Sequence, residues 1–345
     1  MQRFRYLLFF LFLPMLLSAA PIKAYDADLS GYGYPFKVEY FAFESQQKQL
    51  KMAYMYLQGE SGKPVVTLLH GKNFNGAYWQ ETARFLHAQG YGVLMPDQIG
   101  FGKSSKPIDY QYSFGALAHN TRALMQSLGI GRSIIVGHSM GGMLATRFAL
   151  NYPQMSEKLI LVNPIGLEDY LHYVAYKDVD FFYALELGQT PEKIRAYQQK
   201  NYYDGTWNAR YEALTLPLAG WCTGPDRERI AYVNALTYDM IFTQPVVEEF
   251  KDLKVPAVLI LGTRDRTGPG RQWMKAGVSY ELGRYDQLGK AVQQRNNSIV
   301  LYELPGLGHL PQIEDFGRFK TVFEKAIMHP TCSGFAPDDT DRSVG

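Results

Sequence analysis

Ser139 lies in the run Gly137-His138-Ser139-Met140-Gly141-Gly142. A serine hydroxyl becomes a nucleophile only when a base takes its proton and a carboxylate orients that base. The pattern G-x-S-x-G is common by chance, but its setting here is informative. The apolar run Ser133 to Val136 precedes it, and a helix-favouring stretch, Met140 to Tyr152, follows. A serine between a short buried strand and a helix sits on a nucleophile elbow. The glycines carry no Cβ and leave room for the strained turn. The helix N-terminus behind the serine favours negative charge. The chemistry implied is attack on an acyl carbon.

Seven histidines compete for the role of base. His87 and His119 fall on expected outer helices. His138 neighbours the nucleophile, so its side chain points elsewhere. His70 ends a strand and reads as loop support. His172 lies in a later helical block, and His329 at the end of the last helix. His309 follows the strand Ile299 to Leu304 through Gly306-Leu307-Gly308. A sheet delivers side chains to its C-terminal edge at such a place, so His309 is the expected base. The acid is expected at Asp265, just past the strand Ala257 to Leu261. Alone, Asp265 reads as a turn aspartate. Glu314 and Asp315 are too close to His309 in sequence to come first. The chain order Ser…Asp…His gives the three residues their weight.

Acyl transfer also needs donors for a developing oxyanion. The Met140 amide, at a helix start, is one. The other is expected from the loop His70-Gly71-Lys72-Asn73, at Lys72 N–H with Asn73 second. The Lys72 ammonium itself reads as a solvated surface charge.

These residues need a scaffold that brings distant segments to one edge. Val38 to Phe43 and Leu50 to Leu57 alternate like an antiparallel hairpin. Val65 to Leu69, Tyr91 to Met95, Ser133 to Val136 and Leu159 to Val162 are short apolar runs, as in strands buried on both faces. Helical patterns at Tyr78 to Gln89, Phe114 to Leu128 and Met140 to Tyr152 separate them. Such alternation predicts an α/β fold, a mostly parallel central sheet with helices on both faces. The alternation stops at about Gly166 and resumes after Lys251, with strands Ala257 to Leu261 and Ile299 to Leu304 and a helix Phe316 to Met328. Residues 25–165 and 252–330 therefore form the core, and 166–251 a helical cap. Its aromatic residues Tyr170, Tyr173, Phe181, Phe182, Trp207 and Trp221 suit an apolar or aromatic ligand, and Tyr173 and Trp207 are the expected substrate contacts. The stretch Arg266 to Ser298 reads either as a flap beside the pocket or as surface decoration.

The chain resembles an α/β-hydrolase of the branch that holds epoxide hydrolases, haloalkane dehalogenases, meta-cleavage-product hydrolases and enol-lactonases. The resemblance rests on His70-Gly71, on Asp97-Gln98-Ile99-Gly100-Phe101-Gly102-Lys103-Ser104, on the elbow, on the late aspartate and on the final Gly308-His309. These span almost the whole chain after the leader. Epoxide hydrolases and haloalkane dehalogenases carry aspartate at the elbow, so Ser139 argues against both activities. The resemblance implies a serine hydrolase of an ester, lactone or similar acyl compound. Carbon–carbon bond hydrolysis of a vinylogous diketone, and a ligand-binding protein with a vestigial triad, are the alternatives. No cofactor is required by this chemistry.

Composition narrows the partners. Lys and Arg number 35 against 33 Asp and Glu, a net charge of +2. No basic block suggests nucleic acid. Arg3 and Arg5 precede the apolar run Leu7 to Leu17, and Ser18, Ala19 and Ala20 follow, a secretory signal pattern. Residues 1–24 are the expected signal peptide, cut after Ala19 or Ala24, and the protein is expected to be periplasmic or secreted. An uncleaved membrane anchor is the alternative, although Pro14 interrupts the run and a span needs about 20 residues. Cys222 and Cys332 have no metal-ligand spacing; free thiols are slightly preferred over a pair. The polar tail 331–345 is expected to be flexible.

Overall fold

The computed structural model describes residues 22–330. Residues 1–21 of the expected signal peptide, the tail 331–345 and Cys332 lie outside the described residues.

Eight strands form one sheet: β1 (Val38–Ser45), β2 (Lys48–Leu57), β3 (Val65–Leu69), β4 (Gly92–Pro96), β5 (Ser133–His138), β6 (Ser156–Val162), β7 (Ala257–Gly262) and β8 (Val300–Leu304). Their order is β1-β2-β4-β3-β5-β6-β7-β8. β1 pairs antiparallel with β2, and β2 with β4; the other neighbours run parallel. The β1–β2 hairpin turns at Gln46 and Gln47, both with positive φ (51° and 60°), as a tight turn matched to strand twist requires.

Among the described residues eleven α-helices accompany the sheet: α1 (Gln80–His87), α2 (Phe114–Ser127), α3 (Met140–Asn151), α4 (Tyr170–Tyr173), α5 (Val179–Leu187), α6 (Pro191–Asn201), α7 (Ala209–Cys222), α8 (Arg227–Thr243), α9 (Tyr285–Arg295), α10 (Pro311–Glu314) and α11 (Phe316–Met328). Side chains of a strand point alternately to opposite faces, and the two main cores follow that rule. Ile135, Leu259 and Leu261 pack on the face of α2, α3 and α9. Ile134, Val136, Val258 and Ile260 pack on the face of α1 and α11. Both faces are covered, which is why β5 and β7 are buried along their whole length.

Helices α4 to α8 leave the sheet after β6 and return before β7. The α5 helix packs on α8, and α6 on α7. The stretch 266–298 is not surface decoration. Its Met274 forms a bridge with Val174, and its Trp273 ring lies 5.3 Å from Phe181. Glu168, where the insertion begins, is buried and accepts from the Gly283 amide at 3.1 Å. Burial pushes that carboxyl up to about 7. The N-terminal segment also binds the insertion. Tyr25 N–H donates to Gly220 at 3.0 Å, and the Trp221 indole donates to Asp26 at 2.9 Å. Tyr34 of the same segment donates to Asp97 on the core at 2.6 Å. Among the described residues no helix is long and apolar enough to cross a membrane.

Candidate active site

Ser139 links β5 to α3 with φ 56° and ψ −125°. A non-glycine residue there is strained by about 1–3 kcal/mol, so the surroundings must hold it. Its amide donates to Val162 at 3.3 Å, and its carbonyl accepts from Gly142 at 2.8 Å and Ile165 at 3.1 Å. Close approach explains two glycines. A Cβ on Gly141 would lie 2.3 Å from the Leu69 carbonyl, and one on Gly71 would lie 3.0 Å from Ser139 Cβ. The loop after β3 therefore rests directly against the serine and the start of α3.

His309 Nε2 stands 2.9 Å from Ser139 Oγ, and His309 Nδ1 stands 2.7 Å from Asp265 Oδ2. The carboxylate requires a proton on Nδ1, which leaves Nε2 free to accept from the serine. Asp265 and His309 are fully buried, and Ser139 is 8% exposed. Burial works to raise the Asp265 carboxyl. Electrostatic attraction to the His309 imidazole and hydrogen bonds from His309 and Thr267 outweigh it and hold the group below its ordinary value. Thr267 N–H donates to Oδ1 at 2.8 Å, and Asn163 Nδ2 to Oδ2 at 2.9 Å. Asn163 itself is held at φ 36° by the β7 end, its Oδ1 accepting from Gly262 N–H at 2.8 Å. The His309 loop is buttressed by Glu314, which accepts from Gly308 N–H at 2.7 Å and pairs with Arg264.

The loop after β3 also carries Lys72. Its side chain is not the solvated surface charge that the sequence suggests. It is buried, donates to the Asn234 carbonyl at 3.0 Å and Thr237 Oγ1 at 3.3 Å, and lies 4.0 Å above the Tyr238 ring. Burial pushes the ammonium down to about 8, with Glu186 opposing. Sequence periodicity cannot show this, because the partners sit on α8, far along the chain. Among the described residues the Lys72 and Met140 amides donate to no protein group. Asn73 instead spends its side chain on Tyr202, donating at 3.1 Å.

Tyr173 and Trp207, the expected substrate contacts, lie in the insertion. Tyr173 stacks on Tyr280 at 4.0 Å. Trp207 donates its indole N–H to Glu212 at 2.6 Å and packs beside Tyr203 and Tyr211. Tyr202 stacks on His309 with ring centroids 4.8 Å apart, and the His138 ring lies 4.9 Å from that of His309, tilted. Nothing in the sequence separates Tyr202 from the many tyrosines around it. His70 is buried with its Nε2 accepting from Gln98 N–H at 3.0 Å. Among the described residues no three His, Cys, Asp or Glu gather to hold a metal ion.

The alpha/beta hydrolase fold model matches residues 64–269, more than half of the chain. The chain belongs to the alpha/beta hydrolase fold family. A solved probable hydrolytic enzyme from Pseudomonas aeruginosa PAO1 is similar over 89% of this chain and 99% of that one, at 44% identity and a TM-score of 0.86. An uncharacterised protein of Mycobacterium tuberculosis is 41% identical over 104 residues, 30% of each chain. A fluoroacetate dehalogenase of a Burkholderia species is 35% identical over 160 residues, 43% of this chain and 50% of that one. The chain thus spans half or less of the curated relatives it matches.

Proposed function

We propose that the protein is an exported serine hydrolase of an ester, lactone or similar acyl compound. Ser139 attacks the carbonyl carbon, and His309 takes the hydroxyl proton. Asp265 orients the imidazole and stabilises its charge. The Met140 and Lys72 amides receive the oxyanion of the tetrahedral intermediate. His309 then protonates the leaving group, and a water activated by the same imidazole releases the acid. Helices α4 to α8 act as a lid that excludes water and selects the acyl group.

The continuous chain Asp265–His309–Ser139, with both bonds under 3 Å and the serine on a strained elbow, carries this reading. The relation to a dehalogenase does not alter it. A carboxylate at the elbow displaces a leaving group from an alkyl carbon, whereas a hydroxyl relayed to an imidazole suits an acyl carbon. The test is a panel of activated esters, lactones and vinylogous diketones with purified protein, beside Ser139→Ala. Ester or lactone turnover abolished in the variant is the expected result. Turnover in Ser139→Ala of at least about a tenth of wild type would remove the serine from the role, since losing a triad nucleophile costs many orders of magnitude. Turnover of the diketones alone would move the reading to carbon–carbon bond hydrolysis. Intact mass of the mature protein reads export; residues 1–19 retained in a membrane fraction would overturn it.

A further inference from the structure

The proposed mechanism leaves His138 unused, although it directly precedes the nucleophile. Its side chain is fully buried, and its ring lies 4.9 Å from that of His309. His138 Nε2 lies 2.8 Å from the His309 carbonyl, and His138 Nδ1 lies 2.9 Å from the Tyr78 hydroxyl. The Tyr78 hydroxyl in turn lies 3.2 Å from the Gly71 amide.

Only one arrangement of protons satisfies this chain. A carbonyl can only accept, so His138 Nε2 carries the hydrogen. The imidazole is neutral, because burial and then the nearby His309 hold it far below its ordinary value. Nδ1 is therefore an acceptor, and Tyr78 O–H must donate to it. The Tyr78 oxygen is then left to accept from Gly71 N–H, which can only donate. The Tyr78 ring is clamped by Phe74, stacked 4.8 Å away, and by Trp79 at 5.0 Å.

The two ends of the chain are the two parts of the site that must keep register. Gly71 precedes the Lys72 amide proposed for the oxyanion, and its own backbone presses on Ser139. His309 is the proposed base. We infer that Tyr78 and His138 are positioning residues that lock the oxyanion loop to the backbone of the base, so that the oxyanion donors and the imidazole stay aligned on one carbonyl. Neither touches substrate. The inference rests on the serine-hydrolase reading above. Directional hydrogen bonds buried away from water resist distortion because a broken one leaves an unsatisfied polar group. A shift of about 1 Å in such an alignment costs about a hundredfold in rate.

Tyr78→Phe and His138→Gln test it, with labelling of Ser139 by a fluorophosphonate as the readout. Each single variant should lower the labelling rate by about ten- to a hundredfold, with KM for an activated ester held within about twofold of wild type. The double variant should fall no further than the worse single one, because both break the same chain. Equal labelling in all four proteins, or singles that multiply, would overturn the inference. Nitrogen-15 NMR of the histidines supplies a measurement without substrate. His138 should show a protonated Nε2 and a bare Nδ1, unmoved between about pH 5 and 9. A protonated Nδ1, or titration in that range, would overturn the chain even in an active enzyme. A wild type inert to the probe would instead remove Ser139 as nucleophile, and the positioning role with it, whatever the tautomer.

Discussion

Two regions meet at His309, the sheet edge and the insertion α4 to α8, and they are built differently. The sheet edge is held by directed polar contacts. Asp265 accepts from His309, Asn163 and Thr267, and His309 is held at both its ring and its carbonyl. Each of those groups leaves a strand end or the turn after it, so the sheet's register fixes their spacing. Within the insertion α4 to α8, aromatic rings pack on one another. Phe182 stacks on Tyr238 at 5.1 Å and Phe242 at 5.6 Å, and Tyr202 covers His309. Few polar bonds tie the insertion to the site: Lys72 to α8, and Asn73 to Tyr202. Aromatic pairs prefer offset-stacked or edge-to-face arrangements but are worth only about 0.5–1.5 kcal/mol each beyond burial. On the proposed function, such packing can be reshaped with less effect on the chemistry than the polar contacts at the sheet edge.

The largest effect should come from the sheet edge. Asp265→Asn keeps the shape of the group but lets the amide favour the wrong His309 tautomer, and turnover should drop about 10⁴-fold. Steady-state kinetics on an activated ester measures this. A loss below tenfold would mean that Asp265 does not orient the base.

A middle-sized effect should separate residues within the insertion. Tyr202→Leu should change the ratio of rates between short and long acyl esters by about 10–200-fold, the range that one hydrophobic contact can carry. Trp207→Ala and Tyr173→Ala should leave that ratio within about twofold, because their rings are occupied by Glu212 and Tyr280. Selectivity shifts of equal size at all three would show that all three rings line the pocket.

The smallest effect tests the tether between the two regions. Lys72→Met should cost about tenfold in turnover near neutral pH, less than the loss of an oxyanion donor itself. Raising the pH through about 8 deprotonates Lys72 and removes its charge from the Tyr238 ring. Wild-type activity should therefore show a falling limb above about pH 8, absent in Lys72→Arg, whose guanidinium stays charged. Stability moves the other way. The folded protein holds this proton less tightly than the unfolded chain, so the cost of the buried charge is full below about 8 and fades towards the ordinary 10.5. Identical pH profiles in wild type and Lys72→Arg would exclude the tether from the rate.

The sheet and the three residues joined across it were legible because local patterns encode them. Buried parallel strands read as apolar runs, and β3 and α11 match the expected bounds at Val65–Leu69 and Phe316–Met328. Ser139, Asp265 and His309 each follow a strand, so sequence places them at one sheet edge before any coordinates are known. The expected alternation after β7 was weaker, and only the structure shows that 266–298 packs against the insertion.

What the tertiary structure alone decided depends on partners far apart in the chain. Lys72 looks like any exposed lysine until α8 closes over it, 162 residues away at Asn234. His138 reads as a bystander until the His309 carbonyl arrives 171 residues later. Tyr202 is one tyrosine among 25 in the sequence, and only the fold sets it against His309. Periodicity and turn chemistry act over a few residues, so the chain's own order determined the elements and the candidate reacting groups at their ends. Burial and hydrogen-bond direction depend on which elements meet, so packing alone decided which polar groups hold those reacting groups in line.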